Sequence, residues 1–150
     1  MEFSAFCNFG CPNGWMPYDH DCFRSVVETV TFNQAEANCR SIGGHLATFS
    51  SAMQQISMKG LLFDVPDDRQ VVLPEVQTIW IGLWISESQW KWMDDSPLTY
   101  SYFSSTAATT IGSCGMIVNS LSAKTDRGKW TPADCATNAT AYLCETPTIF

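Results

Sequence analysis

From Ile79 to Ile85 the chain carries no polar side chain, only Ile-Trp-Ile-Gly-Leu-Trp-Ile. A run this short, rich in β-branched and aromatic residues, predicts a strand buried on both faces. It falls far short of the ~20 apolar residues that a membrane-spanning helix needs. A polar turn over residues 86–89 follows, and then Trp90-Lys91-Trp92, whose alternation puts both indoles on one face of a second strand. Trp80, Trp84, Trp90 and Trp92 therefore read as core and scaffold, supporting a loop that begins at Asp94.

Residues 31–42 carry a different period. Thr31 is placed to cap a helix and Gln34 to complete a capping box. Phe32, Ala35, Cys39 and Ile42 form a narrow apolar stripe, and Gly43-Gly44 supplies the stop. A second helix is expected from about Ser51, with Gln54 in the matching box position and Met53, Ile56 and Gly60 on one face. Residues 64–77 hold two prolines without periodicity and read as an exposed loop. The segments Cys114–Val118, Lys129-Trp130 and Ala141–Glu145 read as strands, with 119–128 a polar hairpin connection. Near the start, Pro12-Asn13-Gly14 is a turn signal, and two short extended pieces closed by Cys11 and Cys22 read as a stapled hairpin.

Composition narrows the function classes. The 150 residues suit one domain, and 8 basic against 15 acidic side chains give a formal charge of −7. Without a Lys/Arg cluster to displace counterions, nucleic acid is excluded as a partner, and the acidity disfavours an anionic membrane surface. No membrane insertion is expected. Seven dispersed cysteines (Cys7, Cys11, Cys22, Cys39, Cys114, Cys135, Cys144) point to a disulfide framework in a secreted, extracellular protein, although spacing alone leaves many pairings open. Zinc held by Cys7, Cys11, His20 and Cys22 is the competing assignment, but Cys-x3-Cys-x8-His-x-Cys matches no spacing with a mechanistic reason. The first six residues have no basic region or apolar stretch. The chain is expected to start after signal removal, Met1, with or without its neighbours, being a cloning addition. Asn138-Ala139-Thr140 is a glycosylation sequon on a surface loop. His45 is paired with no nucleophile by any motif and is assigned a structural or capping role.

Nine segments, in order and spacing, carry a resemblance. They are Cys11-Pro-Asn-Gly-Trp15, Cys22-Phe23, Ala37-Asn-Cys39, Gly44-His-Leu-Ala47, Trp80-Ile-Gly-Leu83, Trp90-Lys-Trp92-Met-Asp-Asp95, Cys114-Gly115, Trp130 with Cys135, and Tyr142-Leu-Cys-Glu145. Together the chain resembles a C-type lectin-like domain of the long form. The resemblance implies an α+β fold: two helices flanking small antiparallel sheets, stapled by disulfides, with a long loop region. It implies a domain over 11–146, preceded by an extension (1–10) and followed by a short tail (147–150). By position it pairs Cys39 with Cys144, Cys114 with Cys135, and Cys11 with Cys22. Cys7 is left over, either as a free thiol or as a link to a second chain, and in a secreted protein the favoured assignment is a disulfide-linked dimer through it.

Sugar-binding members of this family hold Ca2+ between the long loop and the strand after it, through carboxylate and amide oxygens. Here the loop from Ser96 to Ser113 contains no Asp, Glu, Asn or Gln, and the family's Trp-Asn-Asp is replaced by Trp130-Thr131-Pro132. A hard cation prefers several charged or amide oxygens, so the usual ion site is expected to be absent. The favoured function is a non-catalytic, calcium-independent module that binds a protein or glycan ligand, with Tyr100, Tyr102 and Phe103 as candidate contacts. The competing assignment folds Tyr102 or Phe103 back into the core. A calcium-dependent carbohydrate-binding lectin with an atypical set drawn from Asp64, Asp67, Asp68, Asp94 and Asp95 is the alternative. An enzyme or metalloprotein is remote, because no nucleophile–base pair, phosphate loop or paired catalytic carboxylates can be found. No cofactor is expected.

Overall fold

In a computed structural model, which describes residues 10–18, 20–51, 76–104, 112–119 and 128–147, the apolar run forms the central strand of a sheet. The elements are β1 (Met16–Tyr18), β2 (Asp21–Val26), α1 (Phe32–Ser41), β3 (His45–Leu46), β4 (Thr78–Ser86), β5 (Gln89–Trp92), β6 (Cys114–Val118), β7 (Trp130–Ala133) and β8 (Ala141–Pro147). The helix expected from Ser51 falls on 52–60, outside the described residues, as do Cys7, Asp64, Asp67 and Asp68. Among the described strands the path runs β1-β2-β8-β4-β6-β7, with β3 on β8 and β5 on β4. The small antiparallel units join through β4 and β8, which pair in parallel at Ile79–Ala141 and Trp80–Tyr142.

Alternation along β4 sorts its side chains into two cores. Trp80 faces one side, with Phe32, Ala35, Leu46, Met116 and Tyr142, and Trp84 packs at the margin of that side. Ile79, Ile81 and Leu83 face the other side, with Phe23, Phe49, Trp92, Ile117, Trp130 and Leu143. Trp80 is fully buried, and its indole N–H donates to the Val30 carbonyl at 2.9 Å while Phe32 meets it edge-on at 5.6 Å. The disulfides Cys11–Cys22, Cys39–Cys144 and Cys114–Cys135 all lie on the Trp80 side. The second of these, spanning 105 residues, removes about 4.7 kcal/mol of unfolded-chain entropy by the loop-closure argument.

Helix α1 begins as its sequence predicts. Gln34 N donates to Thr31 Oγ1 at 3.4 Å and Thr31 N donates to Gln34 Oε1 at 3.0 Å. Its buried face is Phe32, Ala35, Glu36 and Cys39, which corrects the expected stripe at one end. Ile42 is 40% exposed, because the helix stops at Ser41 and Gly43 turns the chain away at φ +94°. Glu36 takes its place as a buried polar staple, accepting from Leu46 N at 2.9 Å and from Arg40 at 2.6 Å. The N-terminal hairpin also differs from expectation. The Pro12–Gly14 turn is present, with Trp15 N donating to Pro12 O at 3.1 Å, but it precedes the hairpin, whose strands pair as far as Tyr18–Asp21.

Close packing demands glycine at Gly82 and at Gly44. At Gly82, β4 shifts register against β6 and its amide donates to Ala47 O at 2.7 Å. A Cβ there would stand 2.8 Å from Leu46 O and 3.0 Å from Ala47 O. At Gly44 it would stand 2.5 Å from Glu145 O and 3.1 Å from the Trp15 ring. Because backbone cannot yield as a side-chain tip can, Gly44→Ala is expected to cost about 1–3 kcal/mol. Urea unfolding monitored by tryptophan fluorescence checks this, and a midpoint equal to that of the wild type would contradict it.

Candidate functional site

The long loop is tied to the sheet through Trp130. Its indole is fully buried and meets four rings: Phe49 stacked at 6.4 Å, with Trp92, Tyr100 and Phe103 edge-on at 5.2, 5.5 and 5.7 Å. Such geometries add about 0.5–1.5 kcal/mol per pair beyond area burial. The backbone of the loop binds the same residue. Trp130 N donates to Tyr102 O and Ser104 N donates to Trp130 O, each at 2.7 Å, so residues 102–104 run beside the start of β7.

That pairing decides where the three candidate aromatics point. Phe103 turns inward against Trp130 and lies 5.5 Å from Trp90. Tyr100 is half-buried against Trp130, and its hydroxyl is enclosed without a hydrogen-bond partner. Burial raises its pKa, with Tyr102 a smaller contributor. Tyr102 alternates outward, 36% exposed, and stacks on Tyr100 at 6.3 Å with 24° between planes. Lys129 Nζ stands 5.8 Å from the centre of the Tyr102 ring, within cation–π range. From core to surface the order is Trp130, Tyr100, Tyr102. The structure thus brings Tyr100 and Tyr102 into one surface stack and sends Phe103 to the core.

Of the calcium candidates, Asp94 and Asp95 lie among the described residues. Asp94 Oδ1 accepts from both the amide and the hydroxyl of Ser96, which makes it a turn cap. Asp95 sits next to it with φ +68°, and Asp134 Oδ1 accepts from Ala136 N at 2.9 Å. On β7, Pro132 is buried and has no side-chain oxygen, while the Thr131 hydroxyl donates to Pro132 O at 3.3 Å. The long loop offers no carboxylate or amide side chain anywhere along its sequence. Among the described residues no three His, Cys, Asp or Glu side chains converge. The zinc alternative loses two of its four sulfur and nitrogen donors, since Cys11 and Cys22 are bonded to each other. His45 is half-buried in β3 with Nδ1 2.9 Å from Leu46 O, a backbone contact.

Besides Glu36, a second buried carboxyl was not singled out by sequence reasoning. Glu145 in β8 is 5% exposed, and its Oε1 accepts from Thr48 N at 2.7 Å and Thr48 Oγ1 at 3.1 Å. Burial, and then the Asp21 carboxyl hydrogen-bonded beside it, push Glu145 up to about 8.

A family model described as the Lectin C-type domain matches residues 28–146. The chain belongs to the C-type lectin domain family. Members of this family are generally binding modules rather than catalysts. The chain is 25% identical over 149 residues to mouse C-type mannose receptor 2, covering 91% of itself and 9% of that protein. It is 32% identical over 92 residues to the type-2 ice-structuring protein of Brachyopsis segaliensis, covering 60% of itself and 47% of the relative. The chain thus spans less than half the length of either. A crystal structure of a calcium-independent type II antifreeze protein superposes with a TM-score of 0.73 at 26% identity, covering 93% of this chain and 95% of that one. No helix among the described residues is long and apolar enough to cross a membrane.

In this C-type lectin domain the raised carboxyl sets a pH dependence. An unfolded Glu titrates near 4.5 and the folded one near 8. The folded state holds the proton more tightly, so the stability it contributes is full below about 4.5 and is lost as pH rises through 8. The shift amounts to a few kcal/mol at its fullest, at roughly 1.4 kcal/mol per pKa unit. Glu145→Gln keeps an acceptor for Thr48 and a donor for Asp21 without a charge to desolvate. Urea unfolding at pH 5 and pH 9 should show wild-type stability falling at the higher pH and the variant nearly level. An equal fall in both would refute the assignment.

Proposed function

We propose that this domain is a secreted, calcium-independent recognition module that binds a glycan or protein ligand through the surface around Tyr102. The observation that carries the reading is the layered stack, in which Tyr102 stays exposed because Tyr100 and Trp130 hold it from behind. A ring already fixed in place loses little rotamer freedom when a ligand lands on it, so the area it buries is converted to affinity with a small ordering cost. Tyr100 flanks the contact and Phe103 supports it from within. The long-loop sequence, without a hard oxygen donor on any charged or amide side chain, supports independence from calcium. Likeness to a calcium-independent antifreeze structure supports it further. Three disulfides suit an oxidising compartment. The reading takes 11–146 as the folded unit, gives Cys7 the task of linking a second chain, and includes neither a catalytic step nor a resident cofactor.

The test is a glycan array, with a protein-display arm, run on the wild type and on Tyr102→Ala with chelator and with added Ca2+. Binding that persists in chelator and falls about tenfold or more in the variant is the expected result. The variant should melt close to the wild type, because an exposed ring contributes little to stability. A calcium-dependent rise in melting temperature, or binding that disappears in chelator, would overturn the reading in favour of an ion-dependent lectin.

A further inference from the structure

The sequon at Asn138 lies against two segments that close over it, one at Val30 and one at the start of β4. Asn138 itself is exposed on the loop between β7 and β8. The next two residues are not free. Ala139 is fully buried, donates its amide to Val30 O at 2.9 Å and accepts from Val30 N at 3.1 Å. The Thr140 hydroxyl accepts from Gln77 N at 3.0 Å and Thr78 N at 3.1 Å, and donates to Thr78 O at 3.0 Å. A hydroxyl has one donor and two acceptor positions, so that of Thr140 is fully committed. Its amide also donates to Thr78 O at 3.2 Å.

We propose that Asn138 is an acceptor for an N-linked oligosaccharide that can be used only before the fold closes on Ala139 and Thr140. In the transfer, Asn138 Nδ2 bonds to the anomeric carbon of a lipid-diphosphate-linked oligosaccharide. The carbon–oxygen bond to the diphosphate breaks, the lipid diphosphate leaves, and an amide proton passes to a base of the transferring enzyme. The reaction requires a Ser or Thr two residues beyond the acceptor, so the enzyme must read that hydroxyl. In the folded chain the hydroxyl is withheld and Ala139 is pinned in a two-way bridge, although Asn138 itself faces solvent. Exposure of an asparagine is thus a poor guide to its reactivity here. The partners that close the site, Val30 and Thr78, precede it in the chain, Thr78 standing 62 residues before Thr140. They are already synthesised when Asn138 emerges, and transfer competes with the arrival of β8 beside β4.

The inference draws on the secreted reading only for where the reaction would occur, and its test does not need that reading. A purified oligosaccharyltransferase with a lipid-linked oligosaccharide donor is offered two forms of the whole chain. One is oxidised and folded, and the other is reduced, alkylated and unfolded. Mass spectrometry should find glycan on Asn138 of the unfolded chain, retained in Thr140→Ser and lost in Asn138→Gln. The folded chain should react roughly tenfold or more slowly, since reaction must wait for local opening. An unfolded chain left unmodified would overturn the acceptor assignment. Equal or faster modification of the folded chain would overturn the closure.

Discussion

Everything in this domain depends on β4 being apolar on both faces. A strand with one wet face supports one core, whereas here alternate residues of a single strand supply two. Trp80 anchors the helix, the three disulfides and the N-terminal segment around Trp15. Ile79, Ile81 and Leu83 anchor the aromatic layer beneath the long loop. The division assigns different means of stabilisation to the two sides. Covalent bridges crowd the face where α1 packs, and ring-on-ring contact predominates on the other. The register shift at Gly82 allows both, since it lets one strand pair with β6 and still donate to the loop after β3.

Periodicity made β4, β5 and α1 legible, because each buries a face whose spacing matches its geometry. It erred at Ile42, since a stripe can be continued on paper beyond the residue at which glycine ends the helix. Glu36 and Glu145 were invisible for another reason. Their burial is balanced by partners distant in sequence, Leu46 N and Thr48, and a pattern of polar and apolar letters carries no trace of such partners. The disulfide pairing could not be derived from spacing either. Resemblance to the family supplied one, and the described bridges join Cys11 to Cys22, Cys39 to Cys144 and Cys114 to Cys135.

The aromatic site was half legible. Tyr100, Tyr102 and Phe103 stood out as aromatics in a Ser/Thr/Ala loop, but which one faces solvent depends on residues 102–104 running beside Trp130. That contact joins segments more than twenty residues apart, and single-sequence alternation cannot supply its register. Trp130 was visible as a family position and a strand residue. Its four ring contacts appear only when Phe49, Trp92 and the loop are brought together.

A loop of this length must be ordered by something, since each fixed residue costs about 1–2 kcal/mol of backbone entropy. A bound cation orders a loop by drawing oxygen donors together, and those donors are then held for the ion rather than for packing. Here the described part of the loop is ordered by two backbone hydrogen bonds to Trp130 and by rings laid against its indole. Those contacts to Trp130 are made by backbone groups and uncharged rings. They leave a rigid phenol ring at the surface with an ammonium group nearby. A ring face offers area and polarisability rather than directed bonds to a metal.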